Sequence, residues 1–347
     1  MTILDSDKRS RRLMDELLTA EGIARDANLD YSCGLFDEEY RLVATGSCFA
    51  NTLRCLAVDH RYQGEGLLNR VVTHLMEVQF ERGNHHLFLY TKCDTARFFC
   101  DLGFYEVARV QNQVVFLENR RDGFLSYLQA LQQETPDHLA NQAKRVAALV
   151  VNANPFTLGH QYLIEKVAAE NDLVHLFIVS EDASLVPFAV REQLVKAGTA
   201  HLSNIVYHRT GSYLISSSTF PSYFLKDDVL VNRAHAQLDL AVFKRIAQAL
   251  GITRRYVGEE PTSQVTGIYN QVMQEELPLA GIECIVIPRK EFGGKAISAS
   301  TVRSLLKQGR LEEAHSLIPD TTYNFFASAQ AQPVLERILS SEDVIHY

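Results

Sequence analysis

A chain of 347 residues is long for a single hydrophobic core and points to about two domains. Its 46% hydrophobic and 22% charged residues make an ordinary globular composition, and a formal charge of -8 without any basic run argues against a nucleic-acid backbone as main partner. No stretch approaches ~20 continuous apolar residues, and an N-terminus carrying Asp5, Asp7, Lys8 and Arg9 lacks a signal-peptide core, so no membrane partner and a cytoplasmic location are expected.

In chain order, Leu13, Met14, Leu17 and Leu18 share one face of a helix expected over 11–20. Strands are expected over 31–36 and 41–49, parted by the acidic turn Asp37-Glu38-Glu39. Five of the six cysteines (Cys33, Cys48, Cys55, Cys93, Cys100, but not Cys284) fall in this first region without CxxC or metal-ligand spacing, which predicts buried free thiols and no metal site. An apolar run ending at Val58 then leads through Asp59-His60-Arg61-Tyr62-Gln63-Gly64-Glu65-Gly66 into a helix carrying Leu67, Leu68, Val71, Val72 and Leu75. A strand, a turn with two glycines and a helix start offer backbone amides to a diphosphate. Farther on, Ala96 to Gly103 predicts a helix that ends before Phe104, and a strand is expected over 106–117.

Arg61, Gly64 and Gly66 resemble the pyrophosphate-binding motif of the GNAT acetyltransferases, and the Gly103-Phe104 stretch resembles a later element of the same family. Many of its members carry a Tyr, as general acid, where this chain has Phe99. Phenylalanine has no proton to give, so the resemblance implies a domain that binds a CoA-like arm rather than an acetyltransferase. Packing or dimerisation is the other reading, since fold does not fix function.

The polar break around Pro136 sets the boundary: an acetyltransferase-like mixed α/β domain over 1–125, a linker over 126–142 with a helix entering it from Gly123 to Gln133, and a second domain over 143–347. From 145 onward strands and helices alternate: strands over 145–152, 174–180, 204–208, 255–258 and 283–287, with helices over 159–170, 190–201, 233–250 and 264–276. Alternation of this kind predicts a Rossmann-like parallel sheet with right-handed crossovers and a ligand at the carboxyl ends of its strands.

At the first such end, Asn152-Ala153-Asn154-Pro155 stops the apolar run, and Thr157-Leu158-Gly159-His160 opens the next helix. A first helical turn has amides without partners and the positive end of the dipole, so it is a seat for phosphate. Thr157 and His160 add donors there, although a plain helix cap would use the same residues. Far downstream, Ile297-Ser298-Ala299-Ser300-Thr301-Val302-Arg303 is a second helix start with hydroxyls and an arginine suited to phosphate oxygens.

The pair resembles the (H/T)xGH and ISSTxxR elements of the nucleotidyltransferase superfamily, with Asn154 and Phe156 in the matching lead-in and Ala299 in place of a serine. The resemblance implies an ATP site at Asn154, Phe156, Thr157, Gly159, His160, Ser298, Ser300, Thr301 and Arg303. It adds a phosphate-contacting arginine at Arg191 and a nucleoside loop at Gly258-Glu259-Glu260-Pro261. Lys290 and Lys295 are read equally as phosphate ligands or as solvated surface charge. His160, Thr157 and Arg303 are the expected catalytic group. Mg²⁺ is expected to ride on the phosphates, with no protein metal cage.

An acetyltransferase-like domain ahead of such a domain, together with Val257-Gly258-Glu259-Glu260-Pro261 and Ile287-Pro288-Arg289-Lys290-Glu291, resembles the citrate lyase ligase family. That resemblance implies adenylation of acetate, then acetylation of the thiol on the dephospho-CoA-like prosthetic group of the citrate lyase acyl carrier subunit. Two other readings stay open: a dinucleotide-forming transferase of the phosphopantetheine adenylyltransferase type, and a non-catalytic sensor of CoA and ATP.

Overall fold

The computed structural model describes residues 1–4, 8–26, 28–180, 184–214, 228–259 and 264–341. Contacts group the chain into two compact units, one of residues 1–126 and 219–242, the other of residues 127–218 and 243–347.

The first unit contains β1 (Thr2–Ile3), α1 (Lys8–Ala20), β2 (Tyr31–Phe36), β3 (Leu42–Phe49), β4 (Thr52–Val58), α2 (Leu67–Glu81), β5 (Phe88–Thr91), α3 (Ala96–Asp101), β6 (Tyr105–Val110) and β7 (Val114–Glu118). Its sheet runs β1-β2-β3-β4-β5-β7-β6. Neighbours are antiparallel except β4 and β5, whose parallel pairing is confined to Thr52↔Phe88 and Leu53↔Leu89. Beyond Leu53, β4 and β5 no longer pair. Cys55 adopts the left-handed region (φ 50), where a strand bends out of its ladder. Val71, Val72 and Leu75 of α2 pack with Cys33, Val43, Leu53 and Phe99, so the helical spacing in the sequence reports a buried face. Phe99 is part of this core, T-shaped against Phe104.

Two expectations for this unit are corrected. Residues 106–117 form a hairpin, β6 and β7, rather than one strand: Asn112 takes a left-handed turn (φ 57), and the short polar side chains of Gln111-Asn112-Gln113 interrupt the apolar run. All six cysteines are free, but only Cys33, Cys48 and Cys55 are buried, and Cys100 on α3 is exposed.

The chain continues with α4 (Gly123–Glu134) and α5 (Asp137–Ala140), followed by β8 (Val146–Val151), α6 (Leu158–Glu170), β9 (Leu173–Ile178), α7 (Phe188–Gly198), β10 (Ile205–Arg209), α8 (Asp228–Leu250), β11 (Arg254–Gly258), α9 (Gln264–Glu276) and β12 (Glu283–Ile287). A two-stranded hairpin, β13 (Glu291–Phe292) and β14 (Lys295–Ala296), precedes α10 (Ala299–Lys307), α11 (Leu311–Ala314), α12 (Asp320–Phe326) and α13 (Gln332–Ser340). Residues 126–142 are largely helical, and from Tyr127 onward they belong to the second unit, where the Tyr127 hydroxyl donates to the Arg209 carbonyl (3.0 Å).

The second unit is built on a five-stranded sheet of order β10-β9-β8-β11-β12, parallel throughout. Both faces of such a sheet are covered, which is why Val146 to Val151 reads as an unbroken apolar run and Leu173 to Ile178 as one interrupted only by His175. From β8 the chain winds outward through β9 and β10, then returns to place β11 and β12 on the other side. The order therefore reverses between β8 and β11, and the crevice outside that reversal is where doubly wound sheets take ligands.

One polar chain crosses the buried part of this unit. The Glu134 carboxylate lies 2.6 Å from His208 Nδ1, and His208 Nε2 lies 2.9 Å from His175 Nδ1. Burial pushes His208 down to about 4 and His175 to about 3, so both rings are neutral near pH 7. Among the described residues no helix is long and apolar enough to cross a membrane.

Candidate functional site

A cleft of 810 Å³ opens at the β8/β11 reversal, lined by the ends of β8, β11 and β12 and by the first turns of α6 and α10. β11 ends on Gly258 and Asn152 directly follows β8, so both positions bring small or polar residues to the cleft.

Thr157 is the cap of α6 and is buried. Its hydroxyl oxygen accepts the His160 amide (3.3 Å), while its own amide donates to His160 Nδ1 (3.1 Å). This is a capping box with histidine in the position usually held by glutamate. The consequence is chemical as well as structural. Because Nδ1 accepts from the Thr157 amide, the neutral ring carries its proton on Nε2 and presents that nitrogen as a donor. Burial, helped by the nearby Arg289 charge, pushes the imidazole down to about 4, so the donor is neutral across the ordinary pH range. The ring stacks on Phe156 with centroids 6.0 Å apart.

Ser298 caps α10 and accepts the Thr301 amide (3.1 Å), with the hydroxyls of Ser300 and Thr301 at 3.0 and 2.8 Å from its own. The two helix starts are joined at two points. Arg303 donates to the Asn154 carbonyl (2.6 Å) beyond β8. Gly159 faces Ile297 so closely that a Cβ built on it meets the Ile297 carbonyl oxygen at 3.3 Å. Two positive helix ends thus face one crevice, with Arg303, Arg289, Lys290 and Lys295 against a single carboxylate, Glu259, among the described lining residues.

The family model for the citrate lyase ligase C-terminal domain matches residues 146–326. Over 324 residues the chain is 36% identical to a citrate (pro-3S)-lyase ligase of Klebsiella pneumoniae, covering 92% of this chain and 93% of that protein. The chain belongs to the citrate lyase ligase family. A second ligase of this name, from Haemophilus influenzae, is 34% identical over 328 residues, covering 93% and 96%. A third, from Escherichia coli K12, is 36% identical over 309 residues, covering 86% of each.

In this member of the citrate lyase ligase family the cleft gathers Thr157, Gly159, His160, Gly258, Glu259, Lys290, Ser298, Ser300, Thr301 and Arg303, and Lys295 as well. Glu260 and Pro261 lie outside the described residues. Three positions named from the sequence are not in its lining. Asn154 serves through its backbone and side chain, accepting Arg303 on its carbonyl and the Val186 amide on Oδ1 (3.0 Å). Phe156 is fully buried against Gly198, where a Cβ would meet its ring at 2.3 Å. Arg191 is fully buried too. Its guanidinium donates to the carbonyls of Val186 (2.9 Å), Asn152 (2.9 Å) and Val179 (2.7 Å), so it ties the loop after β8 to the end of β9. Asn152, Tyr162 and Arg289 line the cleft without having been assigned there from sequence, although Arg289 stood inside a motif that carried the family resemblance.

In the first unit, Gly64 (φ 89) and Gly66 (φ 72) hold left-handed conformations ahead of α2, with open space where their side chains would be. Arg61 is half exposed and turns back on Asp59, with Nε to Oδ1 at 3.0 Å and Nη2 to Oδ2 at 2.6 Å. This pairing holds the Asp59 carboxyl far below the usual carboxylate range.

Proposed function

We propose that the chain is an ATP-dependent ligase that activates acetate as acetyl-adenylate and passes the acetyl group to the carrier thiol of citrate lyase. The observation that supports it most is the meeting of two helix N-termini at the sheet reversal, with a neutral His160 donor on one and Arg303 on the other. In the first step an acetate oxygen attacks the α-phosphorus in line, the bond to the bridging oxygen breaks, and pyrophosphate departs with the electron pair. Charge builds on the α-phosphoryl oxygens, where the Nε2 proton of His160 donates while Thr157 holds that ring through Nδ1, and on the leaving group, where the α10 amides, Ser300, Thr301 and Arg303 receive it. Among the described residues Glu259 is the only carboxylate of the lining, so Mg²⁺ would be held chiefly by phosphate oxygens and water, neutralising charge as the phosphates separate.

In the second step the carrier thiolate attacks the acetyl carbon, the bond to the adenylate oxygen breaks, and AMP leaves; the thiol proton passes to solvent. The prosthetic arm's diphosphate fits the Gly64 and Gly66 turn, whose backbone a side chain would otherwise obstruct, and Arg61 would exchange Asp59 for phosphate. The separation of β4 from β5 beyond Leu53 offers unpaired strand edges to an extended amide-bearing arm.

The test is pyrophosphate release from ATP and Mg²⁺ with a panel of short carboxylates, with and without deacetylated carrier protein. Release that needs acetate, and AMP formation that also needs carrier, is the expected result. Release driven by phosphopantetheine instead would mark a dinucleotide-forming transferase. ATP binding without release under any condition would mark a sensor.

A further inference from the structure

Adenylation brings two anions together, so the acid needs a cationic seat apart from those that hold the triphosphate. The cleft contains two guanidinium groups, and backbone carbonyls fix them on different loops. Arg303 rides on α10 beside Ser300 and Thr301 and is anchored to Asn154 beyond β8, on the phosphate-holding side. Arg289 stands two residues past the end of β12, and its Nε donates to the Glu259 carbonyl (2.7 Å) beyond β11. Glu259 in turn is tied to β12 by its amide, which donates to the Ile287 carbonyl (2.8 Å). Arg289 is therefore held from both sides at the end of the sheet, half-buried, with its guanidinium plane set by the Nε anchor. It sits close enough to His160 for its charge to act on that ring. The two lysines differ from it: Lys290 and Lys295 are exposed on the rim, one of them 5.9 Å from the Tyr162 ring centroid.

From this placement we propose that Arg289 is the receptor for the carboxylate of the acid substrate, holding one oxygen toward the α-phosphorus. A planar guanidinium matches the two oxygens of a carboxylate, whereas a lysine offers only a point charge. The lining beside it, Ile287, Pro288 and Leu163, is apolar and suits a short alkyl group. The assignment rests on the acyl-adenylate reading above and adds to it which residue selects the acid.

The experiment is carboxylate-dependent ATP–pyrophosphate exchange with wild type, R289K and R289Q, each checked for folding by thermal melting, with ATP binding measured separately by calorimetry. Expected are a rise of tenfold or more in KM for acetate in R289Q, a smaller rise in R289K, and ATP affinity within twofold of wild type. A loss of ATP affinity with the acetate KM unchanged would overturn the assignment and make Arg289 a phosphate ligand. Should R289Q not fold, R289K decides on the same split. Absence of any acid-dependent exchange in wild type would overturn the acyl-adenylate reading itself, and this assignment with it.

Discussion

Replacing Gly159 by alanine separates what that glycine does for stability from what it does for the reaction. Its backbone is ordinary helix, so an alanine is conformationally welcome and would by itself stabilise a helix by roughly 0.5–1 kcal/mol. Against this, the new Cβ would lie 3.3 Å from the Ile297 carbonyl oxygen, 3.4 Å from Thr157 Oγ1 and 3.6 Å from Ile297 Cβ, so the segment leading into α10 must give by a few tenths of an ångström. The two terms nearly cancel, and the unfolding free energy is expected to stay within about 1 kcal/mol of wild type. The reaction feels the same displacement differently. A misplacement of about 1 Å costs roughly 100-fold in rate, so a few tenths should lower kcat for acetate-dependent ATP–pyrophosphate exchange by roughly 3- to 10-fold. Urea denaturation and exchange kinetics on the same preparation check both halves. An unaltered kcat would refute the idea that the spacing of the two helix starts is set at this contact. A large loss of stability with kcat retained would make the glycine a packing residue only.

Arg191→Ala should lose about 3 kcal/mol or more in urea denaturation, because buried carbonyls of Asn152, Val179 and Val186 lose their donor together. If a stably folded variant instead lost ATP affinity tenfold, Arg191 would be the phosphate contact that its sequence position suggested. Gly198→Ala should cost about 1–3 kcal/mol by driving a Cβ to 2.3 Å from the Phe156 ring, and Phe156→Leu in the same chain should recover part of that, seen as non-additivity in a double-mutant cycle. Acid should weaken the fold through His208. Its folded value, about 4, is below the unfolded value of 6.5, so its stabilising contribution is complete above 6.5 and is lost as pH falls toward 4. By pH 5 the loss is roughly 2 kcal/mol, which His208→Gln should reduce in denaturation curves taken at pH 7 and pH 5.

The parallel sheet was legible because its central strands β8 and β9 are buried on both faces and so spell largely apolar runs, and because Asn-Ala-Asn-Pro punctuates the first of them. Both helix starts were legible for a related reason: capping needs Thr157 and Ser298 at fixed offsets from the residues they bond. What the chain hides is direction. An arginine in the first turn of α7 has the same letters around it whether it points at a ligand or, as Arg191 does, into carbonyls beneath the loop. Arg61 hides its partner likewise, since Asp59 two positions earlier becomes visible as a clamp only when the turn at His60–Tyr62 is folded. The β6–β7 hairpin is marked by nothing stronger than Gln-Asn-Gln, because its left-handed residue is an asparagine rather than a glycine. Arg289 was in view within a motif, but its value lies in the carbonyl that anchors it, from a loop of a different strand.

The hydrogen bond from Arg303 to Asn154 spans 149 positions of sequence. A chain being synthesised therefore has its first cleft-lining helix start long before its second, and a product ending ahead of β14 would have half of the cleft. Closing so long a loop costs entropy before any contact rewards it, so this junction belongs among the last parts of the second unit to assemble. A nucleotide that touches both helix starts would act as a clasp across it. At a hundred times its dissociation constant it would contribute about 2.7 kcal/mol to holding the unit together, which would make it the final piece of the fold.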